Sequence, residues 1–222
     1  TAWADEKQLK TRLRMLEAGL PEERLRVLGS PAFDGLVARR TAMPSRDHGI
    51  ELLFASQPLA GRGLPAPWNE HAALDLVLEA LETMDLRVPI TLVLRRHPAE
   101  ADGVFASRMD VSRPEGLRLR IDERPDRVDA IASAHAVIGI VSMLQVEAQW
   151  LGRPALSVQP GELAPSDLLT LHNVPSVHDV VALQDALNSV LREGWSAPDG
   201  PPQALPKWLQ LLTQMQERSE RQ

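Results

Sequence analysis

The sequence contains no cysteine among its 222 residues. A disulfide framework, a thiolate metal site and a cysteine nucleophile are therefore excluded. This composition fits a reducing compartment, and we expect a cytoplasmic location. The 6 histidines show no spacing that is typical of metal ligands, so the sequence predicts no metal site.

An excess of basic charge and a long apolar run are also missing. The net charge is −6, with both signs mixed along the chain, whereas nucleic-acid binding needs a basic surface. No apolar run approaches the roughly 20 residues of a membrane-spanning helix, and no signal peptide is recognised. We therefore expect no nucleic-acid partner and no membrane span. Because the first residue is Thr1 rather than methionine, we expect a fragment or a processed chain.

Three common catalytic and phosphate-binding signatures are absent as well. The sequence has no Gly-x-Ser-x-Gly nucleophile motif, no Walker loop and no complete Gly-x-Gly-x-x-Gly fingerprint. The short stretch Gly61-Arg62-Gly63 indicates no more than a flexible loop. The function must therefore be sought in polar residues that the fold brings together.

Short apolar runs alternate with amphipathic segments over most of the chain. Runs such as Ile50–Ala55 and Ile90–Leu94 are typical of strands that are buried on both faces of a sheet. Segments such as 70–84 and 180–191 repeat apolar residues at helical spacing. This alternation predicts an α/β fold, a Rossmann-like doubly wound parallel sheet of roughly five strands.

The same patterns divide the chain into three parts. Residues 49–193 are predicted to form the Rossmann-like domain. Residues 1–48 are an N-terminal helix and an interdomain segment, with a short strand from Arg26 to Leu28. Residues 194–222 are a linker and a C-terminal helix, and residues 99–116 are expected to be irregular.

The stretch from Ala134 to Glu162 has the pattern strand, helix, strand, which is typical of a crossover onto a parallel sheet. Ser142 and Gln145 stand at the spacing of a capping box, so a helix is predicted to begin just beyond the carboxyl end of the strand. In open α/β sheets ligands bind at this edge, and N–H groups at a helix start suit a phosphate. A capping box alone is the alternative, and it is compatible with a phosphate site.

Each predicted strand ends in polar residues, and parallel strands bring these ends to one edge of the sheet. One such cluster indicates only a loop, but several at one edge favour a binding site. The clusters are Ser56-Gln57-Pro58, Arg95-Arg96-His97-Pro98, Asp122-Glu123, Val141-Ser142 and Gln159-Pro160-Gly161-Glu162.

His97 and Glu147 carry the most specific chemistry at this edge. An imidazole that follows two arginines can contact a phosphate as a cation or as an N–H donor, and the alternative is a loop histidine that caps a carbonyl group. Glu147 lies about one and a half helical turns beyond Ser142. It can accept hydrogen bonds from a ribose diol, and the alternative is an exposed helix carboxylate.

Several of these pieces resemble the C-terminal, donor-binding half of glycosyltransferases of the B-type fold, which has two Rossmann-like domains. The similarity also includes sugar-nucleotide 2-epimerases and capsule or teichoic-acid transferases, and it covers about residues 10–190. The segments that carry it are Gly19-Leu20-Pro21, Arg26 to Asp34, Leu53 to Pro58, Arg96-His97-Pro98-Ala99-Glu100, Val137 to Gly161 and, within it, Leu151-Gly152-Arg153-Pro154.

The start of the predicted phosphate-binding helix departs from these relatives. The 2-epimerases have Ser-Gly-Gly followed by Gln-Glu-Glu, where this chain has the stretch from Ser142 to Glu147 with Met143 and Leu144 in place of the glycines. Two glycines and one acid are thus absent, which argues against epimerase activity. The teichoic-acid type has Thr-Asp-Tyr-Ser-Ser, where this chain has Gly139-Ile140-Val141-Ser142-Met143.

The resemblance implies a nucleotide-sugar site that needs no metal and no other cofactor. The backbone amides of Ser142, Met143 and Leu144 would hold the donor phosphate, and Glu147 would hold the ribose. His97 would contact the phosphate or the leaving group as the one catalytic residue of this half, with the base in the missing N-terminal domain. The implied nucleotide-binding residues are Ser56, Gln57, Arg96, His97, Ser142, Met143, Leu144 and Glu147.

The implied function is that of the donor-binding half of a glycosyltransferase in surface polysaccharide or glycoconjugate synthesis. The alternatives are a sugar-nucleotide 2-epimerase-like isomerase and a non-catalytic Rossmann-like binding module. The expected partners are a nucleotide-sugar and the missing N-terminal Rossmann domain, and peripheral contact of the full protein with a membrane is left open. Without the second domain, the chain alone is expected to be inactive.

Overall fold

The computed structural model of the protein describes residues 11–26, 28–59, 68–161, 169, 173–193 and 204–219. The chain forms two compact units. The sheet unit is Thr41–Ala197, and the terminal unit combines Thr1–Arg40 with Pro198–Gln222.

All the strands belong to the sheet unit. They are β1 (Ile50–Ala55), β2 (Ile90–Arg95), β3 (Leu117–Ile121), β4 (Ala136–Gly139), β5 (Ala155–Val158) and β6 (Ser176–Val177). They form one parallel sheet in the order β3-β2-β1-β4-β5-β6. The prediction of a Rossmann-like doubly wound parallel sheet is confirmed. The described sheet has six strands rather than about five, because the two-residue β6 pairs with β5.

The helices follow the predicted alternation with the strands. They are α1 (11–17), α2 (Pro31–Ala38), α3 (Glu70–Thr83), α4 (Ala106–Met109), α5 (Arg127–Ser133), α6 (Met143–Trp150), α7 (Val180–Glu193) and α8 (Ala204–Ser219). The expectation of irregular structure throughout 99–116 is wrong where α4 forms. Arg26 and Leu28 are not in a strand, and Val27 lies outside the described residues.

The central strands are apolar on both faces because helices cover both faces. Leu52, Leu53 and Phe54 of β1 are each 0% exposed, although neighbouring residues of a strand point to opposite faces. Helix α3 packs against α7, and α5 packs against α6. Strand β3 lies at the sheet edge, and its exposed Arg118 and Arg120 are charges that discourage pairing with another strand.

The strand order places a switch point between β1 and β4. The chain builds the sheet from β1 outward through β2 to β3, and then returns to add β4 on the other side of β1. Connections from β1 and β4 therefore leave in opposite directions and open a crevice at their carboxyl ends. Ala55 pairs with both Arg95 and Gly139, so the loops after β1, β2 and β4 begin at the same level.

In the terminal unit, two hydrogen bonds hold α8 against α2 and the residues just before α2. The Leu205 N–H donates to Asp34 Oδ2 at 2.7 Å, and the Trp208 indole donates to the Gly29 carbonyl at 3.1 Å. The apolar stripe of α8 is largely on its surface. The exposed members are Leu205, Trp208, Leu209, Leu212 and Met215.

A buried histidine makes the stability of the sheet unit depend on pH. His135 is 4% exposed, and its Nδ1 accepts a hydrogen bond from the Glu51 N–H at 3.0 Å. Burial, together with the charge of Arg46, lowers the pKa of His135 below its ordinary value of 6.5. The unfolded chain therefore takes up a proton on His135 at a higher pH than the folded chain does. The stability that comes from the neutral His135 is fully present above about pH 6.5, and the free energy of unfolding falls as the pH falls below that value.

We expect His135→Asn to flatten this pH dependence. The asparagine oxygen can accept the Glu51 N–H bond but cannot gain a proton. The measurement is the free energy of unfolding in urea between about pH 7.5 and pH 5. The exposed His48→Asn change is the matched control and should leave the wild-type slope unchanged. Parallel curves for His135→Asn and the wild type would show that His135 is not the titrating group.

Candidate functional site

Helix α6 begins directly after β4 with the predicted capping box. The Ser142 hydroxyl oxygen accepts from the Leu144 N–H at 3.2 Å, and Gln145 Oε1 accepts from the Ser142 N–H at 2.8 Å. The Gln145 side chain also donates to the Leu156 carbonyl of β5 at 2.8 Å. The cap therefore fixes the start of α6 at the carboxyl edge of the sheet, beside the switch point.

Most of the N–H groups at this helix start already have acceptors within the protein. In addition to the two N–H groups of the cap, the Val141 N–H donates to Gln57 Oε1 at 3.0 Å. Among the described residues, the Met143 N–H has no hydrogen-bond acceptor. Met143 is also 42% exposed, and it is the first residue of α6. The start of α6 therefore offers one N–H group directly to a ligand. Further N–H groups become available only if the hydrogen bonds of the capping box break.

The ends of β1 and β2 are joined through a buried carboxylate. The Ser56 hydroxyl donates to Glu100 Oε1 at 2.6 Å, and the His97 backbone N–H donates to Glu100 Oε2 at 2.6 Å. Ser56 is 6% exposed and Glu100 is 8% exposed. With the Gln57 bond to Val141, the loops after β1, β2 and β4 form one hydrogen-bonded network.

The His97 ring has a defined tautomer in this network. Its Nδ1 accepts from the Ala99 N–H at 3.1 Å, so a neutral ring carries its proton on Nε2. The predicted alternative, a histidine that caps a carbonyl group, is not the observed contact, since the ring accepts from an amide. The neighbouring Arg96 guanidinium pairs with the exposed Asp102 at 3.0 Å and donates to the Glu100 carbonyl.

Glu147 is a paired carboxylate rather than a free exposed one. Arg127 of α5 approaches it as a fork, with Nε at 2.6 Å from Oε2 and Nη2 at 3.1 Å from Oε1. The Glu147 side chain is 14% exposed. The hydrogen bond and the charge of Glu147 raise the pKa of Arg127. Each carboxylate oxygen keeps a second lone pair, so the pairing leaves Glu147 able to accept hydrogen bonds from a ligand.

The polar cluster after β3 is engaged within the protein. The Asp122 side chain is 0% exposed and accepts hydrogen bonds from Arg95 and Arg124. Burial by itself would raise the pKa of Asp122, but hydrogen bonds and charges from Arg124 and Arg95 outweigh it and lower that pKa. The Asp122 carboxylate therefore ties the ends of β2 and β3 together.

The cluster after β5 is also largely internal. The Ser157 hydroxyl donates to the Ile140 carbonyl at the end of β4, and the Gln159 amide donates to the Ser157 oxygen at 2.8 Å. Gln159 is 4% exposed. These bonds brace β5 against β4, and Glu162 of this cluster lies outside the described residues.

An open cavity of about 510 Å³ adjoins Arg96 at the ends of β2 and β3. Its lining combines charged groups such as Asp102 and Asp110 with the apolar side chains of Met109 and Ile121. Among the described residues, no group of three or more His, Cys, Asp or Glu side chains is placed to hold a metal ion.

The structure thus gathers seven of the eight predicted binding residues on the loops that follow β1, β2 and β4 and on the first turn of α6. Glu147 lies one turn further along α6, against α5. Neither Glu100 nor Arg127 was assigned a role from the sequence, although both contact predicted site residues. Glu100 is the last residue of the segment Arg96-His97-Pro98-Ala99-Glu100, which carries the family resemblance. The contact between Arg127 and Glu147 joins two separate helices, so no residue spacing in the sequence indicates it. The binding roles of these eight residues stay predictions.

The strand order and the helices on both faces define an open Rossmann-like α/β domain of the kind found in the B-type glycosyltransferase fold. Solved structures of UDP-N-acetylglucosamine 2-epimerases share this fold with the chain. One from Listeria monocytogenes has a TM-score of 0.61 and 15% sequence identity, over 95% of this chain and 58% of that one.

Two further structures were solved with bound nucleotides. The 2-epimerase from Neisseria meningitidis bound to UDP-GlcNAc has a TM-score of 0.60 and 14% identity, over 92% of this chain and 59% of that one. The enzyme from Methanocaldococcus jannaschii in complex with UDP-GlcNAc and UDP has a TM-score of 0.59 and 14% identity, over 89% and 57%. At such identities the similarity establishes the fold, and the chain spans somewhat more than half the length of these proteins.

No family model matches the sequence, and no curated protein sequence matches it significantly. In the part of the chain that the structure describes, no helix is long and apolar enough to cross a bilayer. The similarity of this chain to known proteins therefore rests on the fold.

Proposed function

We propose that this chain is the nucleotide-sugar-binding half of a glycosyltransferase that acts in surface polysaccharide or glycoconjugate synthesis. The observation that carries the proposal is the switch point, where the loops after β1, β2 and β4 meet in one hydrogen-bonded network. Two structures of the same fold hold UDP-GlcNAc, which supports a nucleotide-sugar as the ligand class.

The dimensions of the switch point suit a nucleoside diphosphate. Strands β2 and β4 flank β1, and neighbouring strands lie about 4.8 Å apart, so the His97 loop and the start of α6 are separated by about 10 Å. A diphosphate above β1 would face His97 on one side and the Met143 N–H on the other. The positive end of the α6 dipole favours an anion at this position.

The capping box sets a condition for binding in this proposal. A phosphate oxygen that takes the Leu144 N–H must displace the Ser142 hydroxyl, and a cap of this kind contributes about 1 kcal/mol. A charge-assisted hydrogen bond is roughly twice as strong as a neutral one, so a phosphate can win the exchange. The Ser142 hydroxyl is then free to donate to the same phosphate.

His97 and Arg96 are assigned to the charge that develops on the departing nucleotide. The His97 Nε2–H is a donor in the neutral ring, and it becomes part of a cation when the ring is protonated. Arg96 has only the exposed Asp102 as its carboxylate partner among the described residues, and an exposed pair of this kind is weak. Preorganised donors and a helix dipole stabilise such a leaving group without a metal. The catalytic base is assigned to the second domain.

Titration of the chain with UDP, CDP, CMP, GDP and UDP-GlcNAc by calorimetry tests the proposal. We expect one nucleoside diphosphate to bind, and more tightly than inorganic pyrophosphate. If none of them binds detectably at millimolar concentration, the chain is not a nucleotide-binding half.

Glu147→Ala tests the ribose contact. We expect the change to weaken the best-binding nucleoside diphosphate about tenfold, because hydrogen bonds to a charged acceptor contribute about 1.5 kcal/mol or more. Its 2′,3′-dideoxy analogue should bind the wild type and the variant equally. The exposed Glu115→Ala change is the control and should alter neither affinity. If Glu147→Ala weakened the binding of both ligands equally, Glu147 would not contact the ribose hydroxyls.

A further inference from the structure

Glu100 is a buried acid whose charge has no cationic partner among the described residues. Each of its carboxylate oxygens accepts one hydrogen bond at 2.6 Å, one from the Ser56 hydroxyl and one from the His97 N–H. Arg96 lies beside it but donates to the backbone carbonyl of Glu100. In the part of the chain that the structure describes, no lysine or arginine pairs with this carboxylate.

Such a charge is costly to bury, because desolvation is not offset by an opposite charge. A side chain that breaks a local rule in this way is expected where it supports a functional group. The functional group here is His97, which Glu100 holds by its backbone.

The turn from His97 to Glu100 is closed by three hydrogen bonds. Besides the carboxylate contact, the Glu100 N–H donates to the His97 carbonyl at 2.9 Å, and the Ala99 N–H donates to His97 Nδ1 at 3.1 Å. The last bond depends on the turn, since it exists only while the Ala99 N–H points at the ring. Among the described residues, His97 Nε2 has no protein partner.

We infer that Glu100 is a positioning residue, which anchors the turn so that the His97 ring keeps its proton on Nε2 and presents that N–H to the anion of the nucleotide site. The identity of the ligand rests on the proposed function, whereas the tautomer does not. Ser56 holds the other carboxylate oxygen, so it links Glu100 to the loop after β1 without a hydrogen bond to His97 itself.

The tautomer is measured first, by ¹⁵N nuclear magnetic resonance of histidine-labelled protein without ligand. We expect His97 to be protonated on Nε2 in the wild type and to become a mixture of both tautomers in Glu100→Ala. Glu100→Gln should restore the wild-type signal, because its amide oxygen accepts from the His97 N–H while its amide nitrogen donates to the Ser56 oxygen. Ser56→Ala is the matched control, since it removes the other contact and should leave the tautomer unchanged.

Binding is measured second, as a double-mutant cycle with His97→Ala. Glu100→Ala should weaken the best-binding nucleoside diphosphate about tenfold in the wild-type background, as expected for a lost charge-assisted contact. In the His97→Ala background it should cause no further loss. Glu100→Gln should bind as the wild type does.

Three results distinguish a failure of the positioning inference from a failure of the proposed function. An unchanged Nε2 tautomer in folded Glu100→Ala would overturn the inference. An equal loss of affinity with and without His97 would also overturn it, since Glu100 would then act elsewhere. If the wild type binds no nucleotide, the proposed function fails, and the tautomer still decides the positioning role. If Glu100→Ala does not fold, Glu100→Asp takes its place, because the shorter carboxylate cannot reach both partners and should give the same mixture.

Discussion

Replacing Arg153 with methionine is expected to lower the free energy of unfolding of the sheet unit by about 3 kcal/mol. Arg153 is 1% exposed, and it is the largest fully buried side chain among the described residues. Its guanidinium donates to the carbonyls of Thr41, Ala42 and Ala132 at 3.1, 2.9 and 2.6 Å, and to the Thr41 hydroxyl at 2.8 Å. It thereby ties the segment that precedes β1 to the end of α5.

Two effects of opposite sign meet at this position. Desolvation lowers the pKa of Arg153, so the buried charge carries a cost that methionine would remove. Methionine also removes every hydrogen bond of a charged donor, each of which contributes about 1.5–3 kcal/mol. Because several such bonds are lost at once, the lost hydrogen-bond energy outweighs the desolvation cost that methionine removes. Lysine would keep the charge but not the planar fork, so Arg153→Lys should be destabilising as well.

The measurement is urea unfolding followed by far-ultraviolet circular dichroism, with hydrogen exchange of the β4 peptide as a readout specific to the sheet unit. Arg118→Met on the edge strand is the matched control, because that arginine is exposed, and it should change stability by less than about 0.5 kcal/mol. An Arg153→Met protein as stable as the wild type would mean that the cost of the buried charge cancels its hydrogen bonds.

The fold was predictable from the sequence because its signals are local. The apolar run from Ile50 to Ala55 coincides with β1, and the run from Ile90 to Leu94 forms all of β2 except its last residue. The capping box at Ser142 and Gln145 is confirmed. Short elements were harder, since α4 has four residues and no apolar period, and such a helix forms by tertiary contacts rather than by propensity.

The partners within the candidate site were not predictable in the same way. Arg153 appeared in the sequence only as a member of the segment Leu151-Gly152-Arg153-Pro154, which does not show that its side chain is buried. Arg127 and Glu147 are twenty residues apart and meet through the packing of α5 on α6. Single-sequence patterns report periodicity along one element, and they carry no information on which side chains of separate elements meet.

Replacing Gln145 with alanine is the second change for which we expect a large effect, a loss of about 3 kcal/mol. Gln145 is 0% exposed, and it both accepts the Ser142 N–H and donates to the Leu156 carbonyl, at 2.8 Å each. Alanine would remove one hydrogen bond from the part-buried Ser142 N–H and one from the Leu156 carbonyl, at about 1 kcal/mol each, and would leave an empty volume beside Gly139 that adds to the loss. The space is tight in the native structure, since a Cβ at Gly139 would lie 3.0 Å from the Gln145 Cδ.

Gln149→Ala provides the matched control one turn along the same helix. Gln149 is also buried, at 4% exposed, but its amide makes only a 3.5 Å contact with the Asn173 carbonyl. Urea unfolding of both variants should therefore show a small loss for Gln149→Ala and a loss several times larger for Gln145→Ala. Equal losses would mean that burial alone, rather than the bonds to Ser142 and Leu156, sets the effect. In that case the capping box would not be what holds the start of α6 in place beside the switch point.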